Sequence, residues 1–455
     1  MGNLLFDKSL QVVLLIFAIA LYFFAPKDYS LQYCVYCFVI FVASASLLLY
    51  NNVRRYKTFL IFDVLFTFSF FFANFAYPVF LYDSNPYFSL FTRDFNEHIM
   101  SKCTALATVG FVSYSIGAFK EGKKPIVSNT RKNYILTPLN GVDIFILFVL
   151  FSLFIYSSIE ALRAGYSQAT SVGGGFFYIF SLFYVYKYFA HSIGKSSRVV
   201  VYCFFILVIS YIVLNFMLGN RGEPLYLFVA IVYCYHRYVK QIANSRILLF
   251  SALGLFIFYF IGVTRISSNQ LETTSRNELI SNWKAEDNIL SYANEIIINN
   301  RSSFVLVDYA DNNGFSYGKT WRVNFFSVVP FGQSFALNVL GIPKREFSST
   351  HLTTWLEFGE GDPNAFGLGT NLIGDIYLCF GAIGVLVFMF LFGNVIRKVH
   401  DESIKKYSYY QMFYIILIAL SVYYTRATLF CILQMLAWTY GLGLLNQIRP
   451  VRKMS

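Results

Sequence analysis

Residues 199–235 read "VVVYCFFILVISYIVLNFMLGNRGEPLYLFVAIVYCY", and this stretch decides the class of fold. Its first part, 199–217, is apolar over the roughly 20 residues that a helix needs to cross a bilayer. Its last part, 225–235, is apolar again. Between them Arg221, Gly222, Glu223 and Pro224 place a full charge pair in a connection with almost no length. The rest of the chain repeats the pattern. Of 455 residues 57% are hydrophobic and 13% charged, against about 25% charged in soluble domains, and the mean hydropathy is +0.55. The chain therefore reads as an all-α, polytopic membrane protein.

Apolar runs predict about twelve transmembrane helices, at 9–25, 32–50, 58–82, 101–119, 142–158, 172–192, 199–218, 223–237, 247–263, 371–396, 409–424 and 427–447. The first follows Lys8 as a signal peptide would, but no small-residue cleavage site precedes "PKDYS", so it reads as a retained helix. Basic residues orient the bundle. With the N-terminus in the cytoplasm, clusters such as Arg54–Arg55–Lys57, Lys120–Lys123–Lys124, Arg397–Lys398 and Arg452–Lys453 all fall inside, and so does the C-terminus. The net charge of +12 is then a mark of topology, and no nucleic acid partner is needed to explain it. The aromatic share of 20% suits lipid-facing and interhelical packing.

The chain divides into a bundle of spans 1–9 over residues 1–263, one large extracytoplasmic loop over 264–370, and spans 10–12 with a cytoplasmic tail over 371–455. A connection of this length is more often functional than inert. In it, Leu279, Ile280, Trp283, Ile289, Leu290, Ile296 and Ile297 recur at helical spacing and predict an amphipathic helix over the membrane face. "VVPFGQSFALNVLGIP" (328–343) is apolar but too short to cross, and suits a re-entrant or interfacial element. "FGEGDPNAFGLGTN" (358–371) is turn chemistry. The seven cysteines lie in or beside apolar segments; Cys34 and Cys37 form a C-x-x-C without a second pair or a nearby histidine, and read as structural. "SVGGGFF" (171–177) reads as a flexible helix start. No Walker, G-x-S-x-G or H-E-x-x-H motif appears, and no metal site or cofactor is expected.

The informative charges sit on the outer side. They are Arg221 and Glu223 between spans seven and eight, Arg265 after span nine, Arg322 and Arg345 in the loop, Asp375 just inside span ten, and Arg426 between spans eleven and twelve. Charges this close to a membrane interior tend to be functional. Arginines without a carboxylate cluster suit a phosphate-type anion, since guanidinium forks match phosphate oxygens in any setting, and could stabilise a pyrophosphate leaving group without a divalent ion. Arg93 and Arg163 read instead as lipid headgroup anchors. Gly222 permits the tight turn and Pro224 suits a first helical turn. Arg221 would then face the anion, with Glu223 holding it or Arg426.

Three stretches carry a resemblance: "GNRGEPLYLF" (219–228), "NNGFSYGKTWRVNFFSVVP" (312–330), which includes Tyr317, and "GLGTNLIGDIYLCFGAIGVL" (367–386). In their order and topology they resemble the O-antigen polymerases, the Wzy-type oligosaccharide repeat unit polymerases. The resemblance implies a fold similar to the C-type membrane glycosyltransferases and a place in the bacterial inner membrane. It implies metal-independent joining, at the periplasmic face, of repeat units carried as donor and acceptor on undecaprenyl pyrophosphate, for O-antigen or a related surface polysaccharide such as lipopolysaccharide. A chain-length regulator protein and membrane lipids are the further partners it suggests. Substrate binding would fall to Arg221, Arg265, Arg322, Arg345, Arg426 and Tyr317. For the base that takes the proton of the attacking sugar hydroxyl, the candidates are His351, Asp375, Glu223 and Glu357, with His351 ahead because a neutral imidazole suits proton uptake near pH 7. A lipid-linked oligosaccharide flippase and an O-antigen ligase are the rival readings. The first would distribute charges along its spans and have short loops, and the second shares the architecture but differs in acceptor.

Overall fold

The computed structural model describes residues 2–83, 98–119, 135–163, 172–218, 220, 222–249, 294–297, 299–359, 367–405 and 409–448. The principal helices are α1 (Gly2–Phe23), α2 (Leu31–Tyr56), α3 (Phe62–Asn74), α4 (His98–Ala118), α5 (Gly141–Arg163), α6 (Val172–Lys187), α7 (Arg198–Met217), α8 (Gly222–Tyr238), α9 (Asn299–Asn313), α10 (Arg322–Phe326), α11 (Gly332–Asn338), α12 (Ser349–Phe358), α13 (Leu372–Lys405), α14 (Tyr409–Leu420) and α15 (Leu433–Leu445). Among the described residues the only sheet is a two-residue antiparallel pair, β1 (Ile135–Leu136) with β2 (Gln447–Ile448). The all-α expectation holds at this level. Five helices are long and apolar enough to cross a membrane: Leu31–Tyr56, His98–Ala118, Gly141–Glu160, Arg198–Met217 and Leu372–Ile404. The other expected spans meet shorter helices, except that 250–263 lies outside the described residues. So does the expected amphipathic helix up to residue 293.

The chain forms two compact units. The first comprises Met1–Lys124, Asn269–Lys398 and Ser421–Gln434. Its centre is α4, "HIMSKCTALATVGFVSYSIGA", buried on nearly every side. Small residues make this possible, because they let backbones approach where lipid supplies no hydrophobic drive. A Cβ on Gly117 would lie 2.1 Å from the Phe390 carbonyl oxygen, and one on Gly393 would lie 2.2 Å from that of Tyr114. Helices α4 and α13 thus touch backbone to backbone. Aromatic rings fill the wider gaps: Phe41 packs 4.5 Å from Phe75 and 4.6 Å from Phe111, and Phe66 lies 4.8 Å from Tyr114.

Helix α13 is not a straight span. Gly381 has φ 65° and ψ −162°, and the helix breaks there. A Cβ on Gly110 would meet Ile373 Cδ1 at 2.6 Å and Val385 Cγ1 at 3.1 Å. Those two residues would be about 18 Å apart along one continuous helix. The chain therefore folds back, and 372–380 is a buried half-helix lying against the start of 382–405. The break frees carbonyls, and the loop captures them: the Ser316 N–H donates to Leu378 O at 2.8 Å and the Tyr317 N–H to Cys379 O at 3.1 Å. Asn371 caps the half-helix, its Oδ1 accepting from the Ile373 N–H at 2.9 Å.

The expected spans 409–424 and 427–447 leave two residues between them, whereas the structure has a longer connection there, which belongs to the first unit. Helices α14 and α15 have 12 and 13 residues, about 18–20 Å each, short of a hydrocarbon core of about 30 Å. Residues 421–432 between them form a folded, irregular insert. Its Tyr424 packs 4.7 Å from Phe392 and 6.0 Å from Phe62, the first residue of α3. Ser69 Oγ lies 2.7 Å from Thr425 Oγ1. Irregular backbone of this kind is tolerated at membrane depth only where protein covers it.

The second unit comprises Pro125–Ser268, Val399–Leu420 and Met435–Ser455. Here Lys187 Nζ donates to Asp143 Oδ2 at 2.7 Å and to Asn446 Oδ1 at 2.6 Å, a buried ion pair that ties α5 and α6 to the chain after α15. The charge pair between 217 and 225 sits at the α7–α8 turn. The Asn220 N–H donates to Asn215 O at 2.9 Å, and α8 starts at Gly222 with Glu223 and Pro224 in its first turn.

Candidate functional site

The first unit brings a set of polar groups together around Gly369. Gly369 has φ +78°, and a Cβ there would meet Arg426 Nε at 3.1 Å and Asn299 Oδ1 at 3.3 Å. Its carbonyl accepts from Thr353 Oγ1 at 2.7 Å. Thr353 lies on α12, where Ser349, Thr353 and Glu357 share a face at helical spacing. Ser349 accepts from Thr370 Oγ1 at 2.9 Å. Glu357 pairs with Arg301, two residues beyond Asn299 in the first turn of α9. The Asn371 amide donates to Asn74 Oδ1 at 3.2 Å and to Asn299 O at 3.4 Å. The result is a largely buried polar cluster that includes the half-buried Arg426 and adjoins the Arg301–Glu357 pair. Among the described residues no three His, Cys, Asp or Glu side chains are placed to hold a metal ion.

Asp375 lies in the half-helix beside this cluster and is 0% exposed. Trp321 Nε1 donates to its Oδ2 at 2.7 Å, while Oδ1 has no hydrogen-bond partner among the described residues. Asn324, one turn after Trp321, accepts from Thr428 Oγ1 at 2.9 Å. The 319–324 segment therefore links the half-helix to the 421–434 insert.

The remaining candidates distribute differently. His351 is on α12 but exposed, off the Ser349–Thr353–Glu357 face. Desolvation by the neighbouring chain and the charge of Lys344 both lower its pKa from the ordinary histidine value. Arg345 is exposed and stacks over the Trp355 ring, 4.8 Å from its centroid. Arg322 is half-buried and opens α10. Tyr317 is 74% exposed, with φ 49° in the loop that clasps the helix break. Glu223 belongs to the second unit, where it takes a hydrogen bond from Tyr211, whose hydroxyl also lies 3.0 Å from Gly174 O. Arg221 and Arg265 lie outside the described residues, as does Arg93; the side chain of Arg163 does too.

Arg301, Asn299 and Asn371 are the members of the cluster that sequence reasoning missed. Asn371 lay within the quoted stretch 367–386, and the signal for Asn299 and Arg301 was "NNRSSFVLV" (299–307), a polar run abutting an apolar one. As a sequence it reads as a loop before a helix. In the structure every residue of Asn299–Ser303 is buried.

The fold and cluster define an integral membrane protein with a discontinuous helix and an arginine-bearing polar core. A family model, O-antigen polysaccharide polymerase Wzy, matches residues 9–451, nearly the whole chain. The chain belongs to this family of inner-membrane proteins, which polymerise repeat units into O-antigen polysaccharide. No curated protein and no solved structure matches it.

Proposed function

We propose that the chain joins oligosaccharide repeat units carried on undecaprenyl pyrophosphate at the periplasmic face of the inner membrane, as a metal-independent glycosyltransferase. A hydroxyl oxygen of the acceptor unit attacks the anomeric carbon of the donor. The carbon–oxygen bond to pyrophosphate breaks, the carrier leaves as its pyrophosphate, and the hydroxyl proton passes to a base. The observation that carries this reading is Arg426 Nε against Gly369 and Asn299, beside α12, whose Thr353 bonds the Gly369 carbonyl and whose Glu357 pairs with Arg301. Two guanidinium groups can bind a pyrophosphate through bidentate hydrogen bonds and stabilise the charge it gains as it leaves.

In this reading Arg426 and Arg301 hold the pyrophosphate. Arg322, Arg345 and Tyr317, on the loop of the first unit, contact the glycan, and Arg221 and Arg265 remain candidate substrate-binding residues by sequence alone. His351 is the first candidate base, ahead of Asp375, while Glu223 orients groups of the second unit through Tyr211. The architecture is that of twelve spans with both termini in the cytoplasm, similar to the C-type membrane glycosyltransferases, and a chain-length regulator protein would act alongside it.

The test uses a deletion strain complemented with Arg426→Ala or with Arg301→Lys. The second variant keeps a charge for Glu357 and removes the fork. Both should insert normally and leave single capped repeat units on the cell surface. Full-length polymer from both would remove the arginine site, and long chains accumulating on the lipid carrier would mark a ligase defect instead.

A further inference from the structure

The loop carries an apolar surface that the polymerisation site does not use. Phe325, Val329, Phe331, Phe335 and Val339, on α10, α11 and the turns around them, are each at least half exposed, Phe331 at 73% and Val339 at 68%. This is not the underside of a lid. Trp321, just before α10, packs 5.4 Å from Phe380 and 5.2 Å from Phe388, and Phe325 packs 5.7 Å from Phe430. Phe388 lies about 10 Å along α13 beyond its break, so the segment lies against the side of a membrane helix. Next to Phe388 runs the outward stripe of that helix, with Ile383 79% exposed and Val387 and Leu391 following at helical spacing. The loop patch continues a surface that already faces lipid.

The turn at its centre is built to present an aromatic ring. Phe331 has φ 60°, a left-handed conformation that is strained for a non-glycine residue. A Cβ on the next residue, Gly332, would lie 2.2 Å from the Phe326 carbonyl oxygen, so no other residue type fits this turn. Strain of this kind persists where function requires it. Exposed Lys319 and Lys344 frame the patch in sequence, the arrangement of apolar body and basic rim that suits anionic headgroups.

We propose that residues 323–340 lie in the membrane itself, embedded at the headgroup–acyl boundary of the leaflet on the loop's side, with Phe331 and Phe335 reaching the acyl chains. The occupant of this face is bulk phospholipid. It anchors the loop against the 421–434 insert and keeps the half-helix covered.

Photo-crosslinking of the full-length protein in its own cells tests this. Benzoylphenylalanine is placed singly at Phe331, Phe335, Val339 and Leu340, with exposed, polar Asn312 as the control, in cells that make the lipid-linked repeat unit. After illumination the adducts are identified by mass spectrometry. Phospholipid adducts at the 331–340 positions, at least fivefold above Asn312, are expected. Adducts with the polyprenyl carrier would reassign the face to substrate, and adducts with a protein or a second copy would make it a docking surface. Yields at the level of Asn312 would place it in water. Any of these three overturns the proposal, and four positions guard against one that disturbs folding.

Discussion

Arg301 and Glu357 form an ion pair whose side chains are 5% and 12% exposed. Removing one partner of such a pair leaves a buried charge and costs about 3–5 kcal/mol. Glu357→Ala should therefore lower the melting temperature of the purified protein in detergent markedly, in addition to any loss of polymerisation. Glu357→Gln removes the same charge and should lower the melting temperature too; were Glu357 also the base, that variant would in addition lose turnover by about 100-fold or more, and turnover kept by the folded protein would exclude that role. His351 is open to solvent and its pKa is lowered by desolvation and Lys344. An imidazole must be neutral to accept a proton, so a His351-dependent rate stays high as pH falls through 6.5 and drops only below it. His351→Gln should remove that acidic limb along with about 100-fold of rate. A pH–rate profile unchanged in shape would exclude His351 as the base.

At the scale of elements, hydropathy located the helices and missed their interruptions. The half-helix 372–380 carries one charge, Asp375, and the insert 421–432 carries one, Arg426, so both pass for parts of apolar spans. Composition reports compatibility with a dry interior, and a covered irregular segment satisfies that as well as a helix does. Gly381 was one of 28 glycines, and only its contacts with the loop distinguish it. Arg301 stayed hidden for the converse reason: a polar run such as Asn299–Ser303 reads as solvated, whereas neighbouring side chains and backbone bury it. Arg426 was legible as a lone charge between apolar runs, though its depth was not. Close packing of α4 on α13 yields a direct prediction. Gly117→Ala places a methyl group against the Phe390 carbonyl, and overpacking of this kind costs about 1–3 kcal/mol. Gly441→Ala, which meets nothing within 4 Å, should be neutral or slightly stabilising. Melting temperatures of the two variants should diverge accordingly, and equal values would mean that α4 and α13 do not touch.

For the whole molecule, everything said about chemistry depends on which side of the bilayer holds the loop. Basic residues argue for an outer loop and inner termini, because lysine and arginine are retained on the cytoplasmic side. A labelling test needs positions that are open in the folded protein. Ser348, a natural choice by sequence, is 4% exposed, so a cysteine there would resist reagent on either side. Asn312 and Glu346 are exposed in the loop, and Lys57 and Lys195 are exposed in connections expected to face the cytoplasm. Single cysteines at the first two positions should react with a membrane-impermeant maleimide in spheroplasts. Those at the last two should react only after permeabilisation. The seven native cysteines are buried or half-buried, which keeps the background low. Reaction of Lys57→Cys in intact spheroplasts together with protection of Glu346→Cys would invert the bundle. The Arg301–Arg426 cluster would then face the compartment where no finished lipid-linked unit waits to be joined.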